Sequence, residues 1–170
     1  MNNQVTDSKS IGPYQDRQVS GVIKSLIEDK DFLQILSSQL YPKLTKIIPH
    51  FTISFVKKVF SKNFKSSNTV EEFQRNLAPF VKKMVESTTK GFTYSGLENL
   101  SSKPTLFIAN HRDISLDSLF LNYARFLEGY KTVRIAIGDN LLDGGFLERL
   151  MRLNKSFVVH RNIKGVKETF

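Results

Sequence analysis

Residues 106–109 (Leu-Phe-Ile-Ala) form a short apolar run that breaks off into Asn110, His111, Arg112 and Asp113. A run of that length, bounded by polar residues, reads as a buried strand. Leu119, Phe120, Tyr123 and Leu127 then recur at three- and four-residue steps, which predicts a helix starting near Asp117. The chain is therefore expected to pass from strand to helix across His111. Such a turn lies at the carboxyl end of a strand, beside the free N–H groups of the next helix, where α/β proteins place reactive groups.

The same alternation continues downstream. Val133, Ile135 and Ile137 alternate like a strand, and Gly138, Asp139 and Asn140 turn it. Phe146, Leu147, Leu150, Met151 and Leu153 suit a short helix, and Phe157, Val158 and Val159 a further buried strand closed by His160 and Arg161. Strand, helix, strand, helix, strand predicts an α/β sheet with parallel neighbours. Upstream the chain is expected to be helical. Residues 1–19 read as a tail, 20–90 as a helical region and 91–170 as the α/β part. A helix is expected over residues 19–40, with residues 29–31 as a point of interruption and Pro42 as its end. Thr69 and Glu72 have capping-box spacing for a helix that carries Pro79, where a kink or a break is expected. Residues 92–95 read as a short strand.

Residues 43–65 are the second informative segment. Leu44, Ile47, Ile48, Phe51, Phe55, Val59 and Phe60 fall at helical steps, with Pro49 a kink or a start, and Lys43, Lys46, Lys57, Lys58, Lys62 and Lys65 decorate them. This pattern suits a helix lying in an anionic membrane interface, and equally one packed on its own domain with solvated lysines.

Composition narrows the function classes. The formal charge of +9 favours anionic partners, among them phosphorylated substrates and acidic membranes. Nucleic acid is not expected, because the basic residues are spread over several elements without a recognition motif. The absence of cysteine excludes a disulfide framework, a thiolate metal site and a Cys nucleophile. His50, His111 and His160 are too scattered for a structural metal site, so no metal or other cofactor is expected. Neither a secretory signal nor a spanning apolar stretch is visible, which points to the cytoplasm or the cytoplasmic face of a membrane.

At the predicted turn, an imidazole with a carboxylate beside it is the minimum kit for general base chemistry. Asp113 and Asp117 both qualify, and either reads equally well as a helix cap. The run Asn110 to Asp117 resembles the first motif of the glycerolipid acyltransferases, written as His, four residues, Asp. Leu116 occupies that spacing here, so Asp117 becomes the partner if one residue is inserted, with Asp113 the close rival. The phrase Gly96-Leu97-Glu98-Asn99-Leu100 is also usual in that family. Residues 157–161 resemble its second motif, an apolar strand ending in Arg, although Lys155 replaces the motif's Gly. The third and fourth motifs do not appear, and the chain reads as an N-terminal fragment that carries the first βαβαβ portion of such a domain.

The resemblance implies an O-acyltransferase of glycerophospholipid synthesis, working as a peripheral protein on the cytoplasmic side of a membrane. It would move an acyl chain from acyl-CoA or acyl-carrier protein to a glycerol-phosphate hydroxyl. His111 would be the base, held by Asp117 or Asp113. Arg161, with Arg112 as the weaker candidate, would bind the acceptor's phosphate, and backbone N–H groups at the helix start would receive the oxyanion. The shortened chain is expected to have weak activity or none. The rival expectation is a non-catalytic fragment that binds anionic membranes through residues 43–65.

Overall fold

A computed structural model describes residues 12–100, 103–110, 112–113, 116–139 and 144–160. In chain order these form α1 (Asp16–Glu28), α2 (Lys30–Leu40), α3 (Pro42–Ile47), α4 (Pro49–Phe64), α5 (Val70–Thr88), α6 (Leu116–Leu127), β1 (Ile135–Gly138), α7 (Phe146–Leu153) and β2 (Ser156–Val159). The protein combines helices with a small parallel sheet, as an α/β chain does. It divides into two compact units: the described residues of 1–76 with those of 134–170, and those of 77–133.

Helix boundaries in the first unit follow local chemistry. Asp29 separates α1 from α2, and its Oδ1 accepts the N–H of Phe32 at 2.9 Å, so a carboxylate caps the second helix. Pro42 and Pro49 open α3 and α4, where the missing N–H costs nothing. At the start of α5 the expected capping box is present. The N–H of Glu72 donates to Thr69 Oγ1 at 3.1 Å, and the N–H of Thr69 donates to Glu72 Oε2 at 3.3 Å. Thr69→Ala is expected to cost about 1 kcal/mol, read as a lower denaturation midpoint in urea. Pro79 does not break α5, which stays one helix over Val70–Thr88; the helix tolerates one carbonyl left without its N–H.

The core of this unit is built by α1 and an aromatic chain. Val19, Val22, Ile23 and Leu26 are fully buried along one face of α1. Phe146, Phe32, Phe60, Phe64 and Phe73 follow one another with ring centroids 4.6–5.8 Å apart, joining α7, α2, α4 and α5. β1 and β2 pair in parallel with Ile135 opposite Ser156 and Gly138 opposite Val159. The crossover between them carries α7, which packs on α1 and β2.

Two strand expectations fail. Residues 92–95 form no strand. Residues 104–110 form no strand, with Leu106 83% and Ile108 88% exposed rather than buried. Their own unit contains no strand among its described residues, and a single strand without a partner has no ladder to satisfy its backbone.

The apolar segment of residues 43–65 is divided rather than continuous. Val56, Phe60 and Phe64 face the core, whereas Ile47 and Phe51 are 75% and 69% exposed. Neither of the two simple expectations holds along its whole length.

Candidate active site

The second unit is organised by α6. At its C-terminal end the Arg125 guanidinium lies over the ring of Phe107 at 5.3 Å and over that of Tyr130 at 5.2 Å, and its Nε donates to the carbonyl of Lys131 at 2.9 Å. One cation thus anchors the segment before the turn and the loop after the helix. On another side of α6, Phe92 packs against Phe120 and Tyr123 with centroids 5.4 Å away in each case. Tyr94 donates its hydroxyl to Glu128 Oε1 at 2.7 Å, and that bond to a carboxylate raises the phenol's pKa. Asn122, buried in the helix, accepts the N–H of Val133 at 2.7 Å and so holds the chain just before the second unit ends.

At the N-terminal end of α6 the geometry separates the two carboxylates. Asp113 Oδ1 accepts the N–H of Leu116 at 2.8 Å, the arrangement of a helix cap. Asp117, in the first turn, reaches backwards. Its Oδ2 accepts the N–H of Arg112 at 2.7 Å and that of Asp113 at 2.9 Å. A negative charge in the first turn also complements the helix dipole. One carboxylate oxygen therefore clasps the two residues that directly follow position 111. Short local hydrogen bonds of this kind form because Asp competes well with the backbone itself.

Arg112, Asp113 and Asp117 are therefore brought together in a single turn. His111 and Arg161 lie outside the described residues. The expectation that free amides at the helix start receive an oxyanion needs revision at three positions: the N–H groups of Arg112, Asp113 and Leu116 already donate to carboxylates.

The arginines near the sheet, Arg134, Arg149 and Arg152, differ in their surroundings. Arg152 is 3% exposed; its Nε donates to the carbonyl of Gly12 at 3.0 Å, and its guanidinium lies 4.5 Å from the Tyr14 ring and 3.3 Å from Glu148 Oε1. Arg149 pairs with Asp29 at the α1–α2 junction. Both are structural cations, whereas Arg134 is exposed.

One pair escaped the sequence reading. His160 Nδ1 lies 3.2 Å from Asp139 Oδ2. The two residues follow Val159 and Gly138, which are register partners, so they close adjacent parallel strands at the same end. A polar residue closing each predicted strand was the available signal, but it becomes a pair only once the register is known. Among the described residues no group of three His, Cys, Asp or Glu is placed to hold a metal ion.

Compared with known protein families, residues 91–170 match the model described as Acyltransferase. No curated protein and no solved structure matches the chain. The matched residues begin at Gly91 and take in the whole of the Asp113–Asp117 turn and the β1–α7–β2 unit.

Proposed function

From the match of residues 91–170 to the acyltransferase family model we propose that the protein is an O-acyltransferase of glycerophospholipid synthesis. The family match supports acyl transfer as the general activity. The observation that supports a His-based mechanism is the clasp of Asp117 on the two amides that follow His111. A carboxylate fixed at that point, on the helix that follows the turn, suits the orientation of an imidazole and the stabilisation of an imidazolium.

In the proposed reaction His111 removes the proton from a glycerol hydroxyl as its oxygen attacks the acyl thioester carbonyl. The tetrahedral oxyanion collapses, the C–S bond breaks, and the thiolate takes the proton back from the imidazolium. The products are an ester and a free thiol of CoA or of an acyl-carrier protein. An acyl-enzyme is not required. Arg161 binds the acceptor's phosphate through a planar pair of donors, with Arg112, exposed on the turn, as a second contact. No resident cofactor enters any step.

The test follows thiol release from acyl-CoA and from acyl-carrier protein with glycerol phosphate as acceptor. Asp117→Asn keeps an oxygen able to accept the two amides but removes the charge. It is expected to lower kcat by about 10²-fold or more, the lower end of what a working general base supplies. Asp113→Asn, which keeps the cap on Leu116, is expected to stay within a few-fold of the parent. The reverse order of effects would hand the partnership to Asp113, and acceptor-independent thiol release would overturn transfer to a hydroxyl.

A further inference from the structure

From the elbow between α3 and α4 we infer a docking surface for an anionic lipid membrane, outside the acyltransferase-matched residues. Leu44, Ile47, Ile48, Phe51 and Phe55 are 44–75% exposed on consecutive turns around this corner. Side-chain hydrogen bonds brace the corner. Thr45 Oγ1 donates to the carbonyls of Ser37 and Tyr41 at 2.9 Å, and Thr52 Oγ1 donates to the carbonyl of Ile48 at 3.0 Å. The Tyr41 ring packs edge-on against Phe55 at 5.8 Å, which extends the apolar patch to the end of α2. Large apolar side chains held out this firmly in one contiguous patch mark an interaction surface.

Charge identifies the occupant. The outward face of α4 carries Phe51 and Phe55 in its first half and Lys58 and Lys62 in its second, and Lys57 and Lys65 flank these two lysines along a shallow, serine-lined groove. At a rise of 1.5 Å per residue, Lys58 and Lys62 stand about 10–16 Å along the helix axis from Phe51. That separation matches an apolar tip sunk about 5–10 Å into the acyl boundary with ammonium groups at the phosphate level. The apolar face of α4 that runs its full length, through Thr52, Val56, Phe60 and Phe64, is spent on the core, so the helix enters tip first instead of lying flat. No helix among the described residues is long and apolar enough to cross a membrane, so this surface supports docking, not spanning. The docking stands on exposure and charge alone; that it brings the chain to a membrane-resident substrate or product rests on the acyltransferase reading.

Co-sedimentation of the chain with vesicles of phosphatidylcholine, with and without phosphatidylglycerol, tests the surface. Binding is expected only when phosphatidylglycerol is present and should weaken as salt is raised. Lys58→Gln and Lys62→Gln should each weaken it about fivefold, the equivalent of about 1 kcal/mol per basic residue at an anionic surface. The Phe51→Ser, Phe55→Ser double variant should lose at least about tenfold through the apolar area it no longer inserts. Phe51→Leu, which keeps the apolar tip, should bind like the parent and so controls for misfolding. His111→Ala should also bind like the parent, so loss of catalysis and loss of docking are read separately. A chain that stays in the supernatant at low salt overturns the proposal, as does binding indifferent to the Phe51 and Phe55 changes. Self-association without vesicle binding, abolished by the same double variant, would assign the patch to a second copy.

Discussion

With His111 replaced by Ala, the active protein is expected to lose about 10²–10⁴-fold in kcat, the share that a positioned general base supplies. Far-UV circular dichroism should be unchanged, and the KM for the phosphorylated acceptor should move little, because the phosphate is assigned to Arg161. The rise of kcat/KM on the acid side of the pH profile, which reports deprotonation of the base, should vanish in the variant. Asp117→Asn should act in the same direction if, as proposed, Asp117 works through the imidazole. A double variant lacking both groups should then lose little more than His111→Ala alone, as expected of residues that act as a unit. Retained turnover in His111→Ala would sink the mechanism while leaving the match of residues 91–170 to the acyltransferase model untouched.

The largest expected effect on stability belongs to Arg152. It carries a charge at 3% exposure, and its planar fork serves Gly12, Glu148 and the face of Tyr14 together. Arg152→Met keeps the apolar stem but leaves Glu148 facing a site without its cation. Removing one partner of a buried pair costs about 3–5 kcal/mol. The lower end is expected here, because Glu148 is partly exposed and its other oxygen also accepts the N–H of Gly144 at 3.0 Å. For a chain of this size that corresponds to a fall in melting temperature of about 6–12 °C. Arg152→Lys should recover little of it, since one ammonium group cannot match the fork's reach to both Gly12 and Glu148.

Tyr14 provides a second readout. Burial pushes its phenol above the usual value of 10.0, and the Arg152 cation partly offsets this. The folded state therefore favours the neutral phenol. Its contribution is fully present below the ordinary tyrosine pKa and is lost as pH rises through the higher folded value. In Arg152→Met the phenol should ionise at still higher pH, visible as a delayed phenolate absorbance that Tyr14→Phe removes.

Much of this was legible in residues that act locally. The capping box at Thr69 and Glu72, the break at Asp29, the helix end before Pro42, the kink or start at Pro49, and the strand character of residues 135–138 and 156–159 all depend on near neighbours or strong periodicity. The candidate turn was legible in the same way, as a polar run between an apolar run and a helical one. Its two carboxylates were only weakly distinguished, because neither Asp113 nor Asp117 has the motif's spacing and Asp117 fits it only with one residue inserted. They differ only in the direction their side chains take, which decides that one caps Leu116 and the other clasps Arg112 and Asp113.

The apolar segments show the same division from the other side. Leu106 and Ile108 have the composition of a buried strand, yet they are exposed because the strand they predict has no partner in its unit. Phe51 and Phe60 share one helix and one residue type, and one faces out while the other is in the core. The amino-acid sequence alone determined most of the helices, where they begin or break, and the two short strands that pair, because propensity, capping and periodicity are properties of short segments. Tertiary structure decided that Arg152 is a buried pin, that His160 meets Asp139, and that the α3–α4 elbow faces outward. Burial and charge pairing depend on residues brought together from distant parts of the chain, and no local pattern encodes that meeting.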